Sequence, residues 1–236
     1  MTTLVAMDTK SVIGKELVEQ KTGKECNDFR NGDHTTTLLR TANGKVIEIQ
    51  HNVMTPQPYN RLYQLTGSKG FANKYPVEGY ALDAKQLNAS GVQPKIDNLN
   101  AHGFLPKAEM DALVEKYQHP ILKKYGEIAK EVGGHGGMDF IMDSRLVYCL
   151  QNGLPLDMDV YDLAEWCCLA ELGQISMDNG CAAVAFPDFT RGEWNVIKGY
   201  KHAYASAEAE KESMEKAKAF TAKLKEQGAK EWAEAK

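Results

Sequence analysis

Apolar positions in the early part of the chain recur mostly at strand spacing, and from Pro106 onward mostly at helical spacing. Leu4 to Met7, a short apolar run with β-branched Val5 inside it, predicts a strand that begins with almost no lead-in. Ser11 to Gln20 carries Val12, Ile13 and Leu17 at helical spacing and runs into the Gly-containing segment around Gly23. Asn43-Gly44 stands between Thr35–Arg40 and Lys45–Val53, stretches rich in β-branched and apolar residues, and predicts a hairpin with a two-residue loop. That loop length sets Ala42 against Lys45, hence Arg40 against Ile47, Leu38 against Ile49 and Thr36 against His51. His51 then shares a face with Leu38, Ile47 and Ile49, while Leu39, Glu48, Gln50 and Asn52 take the other.

Pro56 and Pro58 withhold two ladder donors, so residues 54–58 read as a bend or a sheet edge. Arg61 to Leu65 resumes an extended pattern, Gly67-Ser68-Lys69-Gly70 is a turn before Phe71, and residues 81–105 read as a long connecting loop. Helices are expected over Ala108–Tyr117, Pro120–Glu131 and Met138–Gln151, the last stopped by Asn152-Gly153. Asp157 is positioned to cap a further helix through Tyr161, Ala164, Trp166 and Leu169. An Ala/Glu/Lys-rich surface helix follows from about Ala205 to Trp232. Strands first and helices afterwards predict an α+β fold: an open, largely antiparallel sheet with helices on one face and a long C-terminal helix. The expectation is one domain over residues 1–236, ending in a helical tail at about 205–236.

Charge and cysteine usage narrow the partners. With 28 Lys and Arg against 32 Asp and Glu, the net charge of −4 gives no electrostatic reason to bind nucleic acid. No apolar run approaches the roughly 20 residues that a membrane span needs. The first residues show no basic and apolar signal pattern, so any export signal would lie upstream and the location is left open. Cys26, Cys149, Cys167, Cys168 and Cys181 contain no C-x-x-C pair, which predicts buried thiols rather than a disulfide scaffold or a zinc site.

Few motifs carry chemistry. Gly133-Gly134-His135-Gly136-Gly137 breaks the dinucleotide pattern, since Asp139 stands where the last glycine belongs and a helix precedes the cluster. It is either a helix-to-helix joint or a place where backbone approaches a ligand that His135 hydrogen-bonds. Asp139 and Asp143 share a helix face, as a carboxylate pair or as charges favoured in the first helical turn. Tyr59 follows a proline-stiffened segment and is either a sugar-stacking phenol or an amphipathic residue at a sheet edge; Arg61 is a substrate clamp or a surface ion pair.

Three stretches are more specific together: Asp33-His34-Thr35-Thr36-Thr37-Leu38-Leu39-Arg40-Thr41, Gln50-His51-Asn52-Val53-Met54-Thr55-Pro56-Gln57-Pro58-Tyr59-Asn60-Arg61 and Gly134-His135-Gly136-Gly137-Met138-Asp139-Phe140. They resemble the C-terminal portion of glycoside hydrolase family 109, within the Gfo/Idh/MocA oxidoreductase superfamily. Leu154–Asp162 and Phe186-Pro187-Asp188-Phe189-Thr190 extend the resemblance over nearly the whole chain.

The resemblance implies an N-terminal Rossmann domain that holds NAD and an α+β domain that helps to form the site for α-linked N-acetylgalactosamine. It implies oxidation at the sugar C3 hydroxyl by NAD, loss of the C2 proton, elimination of the leaving group, water addition and re-reduction. This sequence departs from that pattern: it carries neither the Rossmann fingerprint nor the family's Tyr-Pro-Thr-His stretch. It is therefore expected to be part of a longer protein, inactive alone and without NAD of its own. Tyr59 matches the substrate-binding tyrosine best, with Arg61, His51, Tyr75 and His135 as further substrate-binding candidates and no catalytic residue assigned. Expected partners are a glycan, the absent Rossmann domain and a second copy paired through the sheet. A sugar dehydrogenase of the same superfamily and a noncatalytic carbohydrate-binding or oligomerisation module are the rival readings.

Overall fold

A computed structural model describes residues 1–94, 99–195 and 207–234. Among these the strands are β1 (Thr3–Asp8), β2 (Thr35–Arg40), β3 (Val46–His51), β4 (Tyr63–Gly67), β5 (Gly70–Lys74), β6 (Gly79–Ala81) and β7 (Val184–Ala185). The helices are α1 (Ile13–Thr22), α2 (Ala84–Ala89), α3 (Lys107–Tyr117), α4 (Pro120–Val132), α5 (Met138–Asn152), α6 (Val160–Asp178) and α7 (Ala207–Glu234). The chain divides into two compact units, Met1–Gln57 with Arg145–Lys211, and Pro58–Ser144 with Glu212–Lys236. The α+β class and the C-terminal helix stand as expected, with the strands distributed over two antiparallel sheets instead of one.

In the first unit the strand order is β3-β2-β1-β7. Leu4 pairs with Leu39, and period-2 alternation therefore puts Leu4, Ala6 and Leu39 on one face, where they are buried with Leu172 of α6 and with Phe186. Each fully buried leucine contributes roughly 1.5–3 kcal/mol of transfer free energy. Strand β7 pairs only with Thr3 and Leu4, so it ends before it can serve Ala6. Ser176 takes over: its buried Oγ accepts the Ala6 N–H at 3.0 Å and donates to the Ala182 carbonyl at 2.7 Å, which ties α6 to the centre of the sheet.

The β2–β3 hairpin corrects the expected register by one residue. Arg40 pairs with Val46, Leu39 with Ile47, Thr37 with Ile49 and Thr35 with His51. The cause is a three-residue loop: the Thr41 N–H donates to the Lys45 carbonyl at 2.9 Å, the Gly44 N–H donates to the Thr41 carbonyl at 3.0 Å, and Gly44 sits at φ +76°. A type I turn closed by a left-handed glycine is one residue longer than the expected loop. His51, Ile47 and Ile49 consequently share a face with buried Leu39, and Leu38 lies on the opposite face with Glu48 and Gln50.

The junction of β1 and α1 is closed by Asp33. Its carboxylate accepts the N–H groups of Val12, Ile13 and Gly14, each at 2.9 Å, three of the donors that a helix start leaves open. The N–H donors of Gly14 and Ile13, and then Val12, hold the Asp33 carboxyl below the ordinary carboxylate range against the opposing effect of burial. A depressed folded pKa stabilises the fold above the unfolded value, and that contribution is lost as pH falls toward the folded one. The difference in urea midpoint between wild type and Asp33→Asn is accordingly expected to be full at neutral pH and to shrink below about pH 4. A difference independent of pH would refute the assignment.

In the second unit β4, β5 and β6 form a three-stranded sheet. Part of the expected loop over 81–105 is in fact ordered secondary structure: Asp83 accepts the Gln86 N–H at 2.7 Å and starts α2, whose Leu87 packs with Leu105 and Leu113. Asp157 is not a cap either. Its carboxylate pairs with Arg145, while Asp159 caps α6 in a reciprocal box with Asp162.

Candidate functional site

Three of the five sequence-identified residues meet on the second unit. Tyr59 and Tyr75 lie edge to face, ring centroids 6.3 Å apart and planes at 87°, within the 4.5–7 Å that such pairs prefer. The Arg61 guanidinium carbon lies 5.4 Å from the Tyr59 ring centroid, in cation–π range. Tyr59 remains 71% exposed, so most of the phenol stays open to a ligand.

Pro56 and Pro58 restrain the backbone leading to Tyr59. Tyr75 follows β5 at φ +68°, a conformation unusual for a residue with a Cβ. Asn73 holds this turn: its Nδ2 donates to the Val77 carbonyl at 2.7 Å and to the Tyr75 carbonyl at 3.2 Å. Sequence reasoning missed Asn73, because Asn-Lys-Tyr-Pro signals only a bend and does not say where the amide points.

His135 stands apart from this cluster in its contacts. Its Nδ1 lies 2.8 Å from the Asp139 Oδ2 one helical turn on, and the imidazole is largely exposed. His135 itself sits at φ +47° between glycines of positive φ, and Gly137 is buried against α4. Asp139 is thus engaged with His135, and no pairing with Asp143 is formed. His51 lies in the first unit, exposed at the end of β3 opposite Thr35.

Two further features bound the chemistry. A groove of about 470 Å³ between the second unit's sheet and α3 is lined largely by apolar groups, among them Leu65, Phe71, Tyr80, Leu113 and Tyr117, and includes none of the five candidates. No group of three or more His, Cys, Asp or Glu residues placed to hold a metal occurs among the described residues. No described helix is long and apolar enough to cross a membrane.

Residues 1–196 match the glycosyl hydrolase 109 C-terminal domain. This chain belongs to glycosyl hydrolase family 109. It is 90% identical over 233 residues to glycosyl hydrolase family 109 protein 5 of Phocaeicola vulgatus, an alignment covering 99% of this chain and 45% of that protein. It is 60% identical over 205 residues to glycosyl hydrolase family 109 protein 1 of Bacteroides thetaiotaomicron, covering 87% of this chain and 44% of the relative. A Porphyromonas gingivalis member of the family is likewise 60% identical, with 87% of this chain and 44% of the relative covered. The chain thus spans less than half the length of these curated relatives.

Within this family 109 domain, the stretches that carry the resemblance divide by task. Asp33 closes α1, Asp157 pairs with Arg145, and Asp188 accepts from the Thr190 hydroxyl and from the N–H groups of Thr190 and Gly192. The Thr190 hydroxyl is foremost in holding the Asp188 carboxyl below its ordinary range. Among the described residues Tyr59 and Arg61 take no comparable hydrogen bonds: Arg61 lies over the Tyr59 ring and Tyr59 meets Tyr75 edge to face, with Tyr59 at an open surface.

Proposed function

We propose that this chain forms the sugar-facing part of a glycoside hydrolase that acts on α-linked N-acetylgalactosamine, with NAD held by the portion of the protein outside this chain. The observation that carries the reading is the pairing of exposed Tyr59 with half-buried Tyr75 beside Arg61 in a family 109 domain. A sugar presents apolar C–H faces and hydroxyl edges, and a phenol next to a guanidinium offers a surface for the first and hydrogen bonds for the second. His135 is a further contact, its ring oriented through Nδ1 by Asp139 so that Nε2 is left for a sugar hydroxyl.

NAD does not fit the junction between β1 and α1. A dinucleotide phosphate needs open N–H groups at a helix start, and at α1 those of Val12, Ile13 and Gly14 are already taken by the Asp33 carboxylate. The cofactor is therefore assigned to the rest of the protein.

Sugar release and NADH absorbance, followed together on an α-N-acetylgalactosaminide with the full-length protein, test the reading. The expected result is release without net NADH. NADH accumulating in step with product would make the protein a sugar dehydrogenase, and glycan binding without turnover would make it a binding module.

A further inference from the structure

We infer that the Tyr59–Tyr75 surface recognises glycans bearing an anionic substituent, a sulfate ester or a sialic acid carboxylate, beside the bound sugar; the inference rests on the sugar-facing reading above. Two cations flank the two rings. The Arg61 guanidinium carbon lies 5.4 Å from the Tyr59 centroid and the Lys74 Nζ lies 5.8 Å from that of Tyr75, while the rings themselves are 6.3 Å apart. Among the described residues neither cation has a carboxylate within 4.0 Å, and Glu78, four residues beyond Lys74, pairs with neither.

Some exposed lysines of the second unit find carboxylates, as Lys107 finds Asp111 at 2.6 Å and Lys130 finds Glu127 at 2.9 Å, whereas others among the described residues, such as Lys69 and Lys85, do not. What distinguishes Arg61 and Lys74 is the aromatic pair that they flank, in a chain whose formal net charge is −4. A negative protein repels anionic glycans at long range, so an acidic ligand needs a local cationic site of this kind. The two cations complement each other: the guanidinium offers a planar fork to paired anionic oxygens, and the ammonium a point charge with rotatable donors. Sulfate and sialic carboxylate share the anionic oxygens and differ in shape and reach.

Calorimetry on the full-length protein with three glycans that share one α-N-acetylgalactosamine core, neutral, sulfated and sialylated, tests the inference. At least one acidic form is expected to bind about tenfold more tightly than the neutral one at low salt, and added salt is expected to narrow the gap. Arg61→Gln and Lys74→Gln, at exposed positions, should each bring that ratio toward one. The arm that shows the preference names the source of the anion. Equal affinity for neutral and acidic forms overturns the inference and leaves the sugar-facing reading standing; binding of none of the three overturns both. An acidic preference unchanged in both variants, or matched by a sulfated glycan lacking N-acetylgalactosamine, also overturns it, because the anion would then be bound elsewhere or without the sugar.

Discussion

Asp157→Ala is expected to lower the stability of the first unit by about 3 kcal/mol, the scale for breaking one partner from a buried ion pair. The Arg145 side chain is only 7% exposed, and its Nε and Nη2 donate to the two Asp157 oxygens at 3.0 and 2.8 Å. Both carboxylate oxygens are thus engaged in one bidentate geometry, and alanine removes a negative charge from beside a guanidinium held largely away from water. Asp159→Ala is the internal control: it deletes the α6 cap at an exposed site and should cost about 1 kcal/mol. Urea denaturation of both variants separates the roles. Equal losses would mean that the buried pair contributes no more than a cap.

The second large effect is expected at Gly137, which is buried at φ +99°. A Cβ there would come within 2.6 Å of the Ala129 carbonyl carbon and 2.7 Å of its oxygen, so the obstacle is α4 backbone rather than a side chain that can swing away. Left-handed strain and this overlap together should make Gly137→Ala destabilising by about 3 kcal/mol or more. Gly136, at φ +71° with nothing near its would-be Cβ, isolates the strain alone, and Gly136→Ala should cost about 1–2 kcal/mol. Thermal denaturation of the two variants gives the comparison; a Gly137→Ala loss no larger than that of Gly136→Ala would show that the α4 contact relaxes freely.

Legibility in the sequence followed the range of the interactions. Helices α3, α4 and α5 begin and end within a residue or so of their periodic and stop signals, because those signals are local. The hairpin was visible in Asn43-Gly44, yet its register turned on whether Thr41 closes a three-residue loop, a choice that the Asn-Gly pair alone does not make. Helix α2 has only six residues, too few for a period, although Asp83 followed by Gln86 is the pattern of a helix start and pointed to it. Asp157 and Asp159 are both plausible caps by spacing, and only the tertiary position of Arg145 decides between them. The division of strands into two sheets depends on pairing partners distant in sequence, which no local pattern encodes.

The candidate site was legible in the same uneven way. Tyr59 and Arg61 stood out beside prolines and within a stretch resembling family 109, and the fold brings Tyr75 to them. His135 and His51 were named on equal terms, but one is tied to Asp139 and the other stands at the end of β3 in the first unit. Asn73, the clamp behind Tyr75, acts through two backbone carbonyls and had no signature of its own.

The central claim, that the Tyr59 surface receives the sugar, is tested most directly by Tyr59→Phe in the full-length protein, with kcat/KM on an α-N-acetylgalactosaminide and NAD occupancy measured on the same preparation. Loss of one substrate hydrogen bond of about 0.5–1.5 kcal/mol predicts a roughly two- to tenfold fall in kcat/KM with NAD occupancy intact. An unchanged kcat/KM would contradict the claim and leave Tyr59 an amphipathic residue in the segment between β3 and β4.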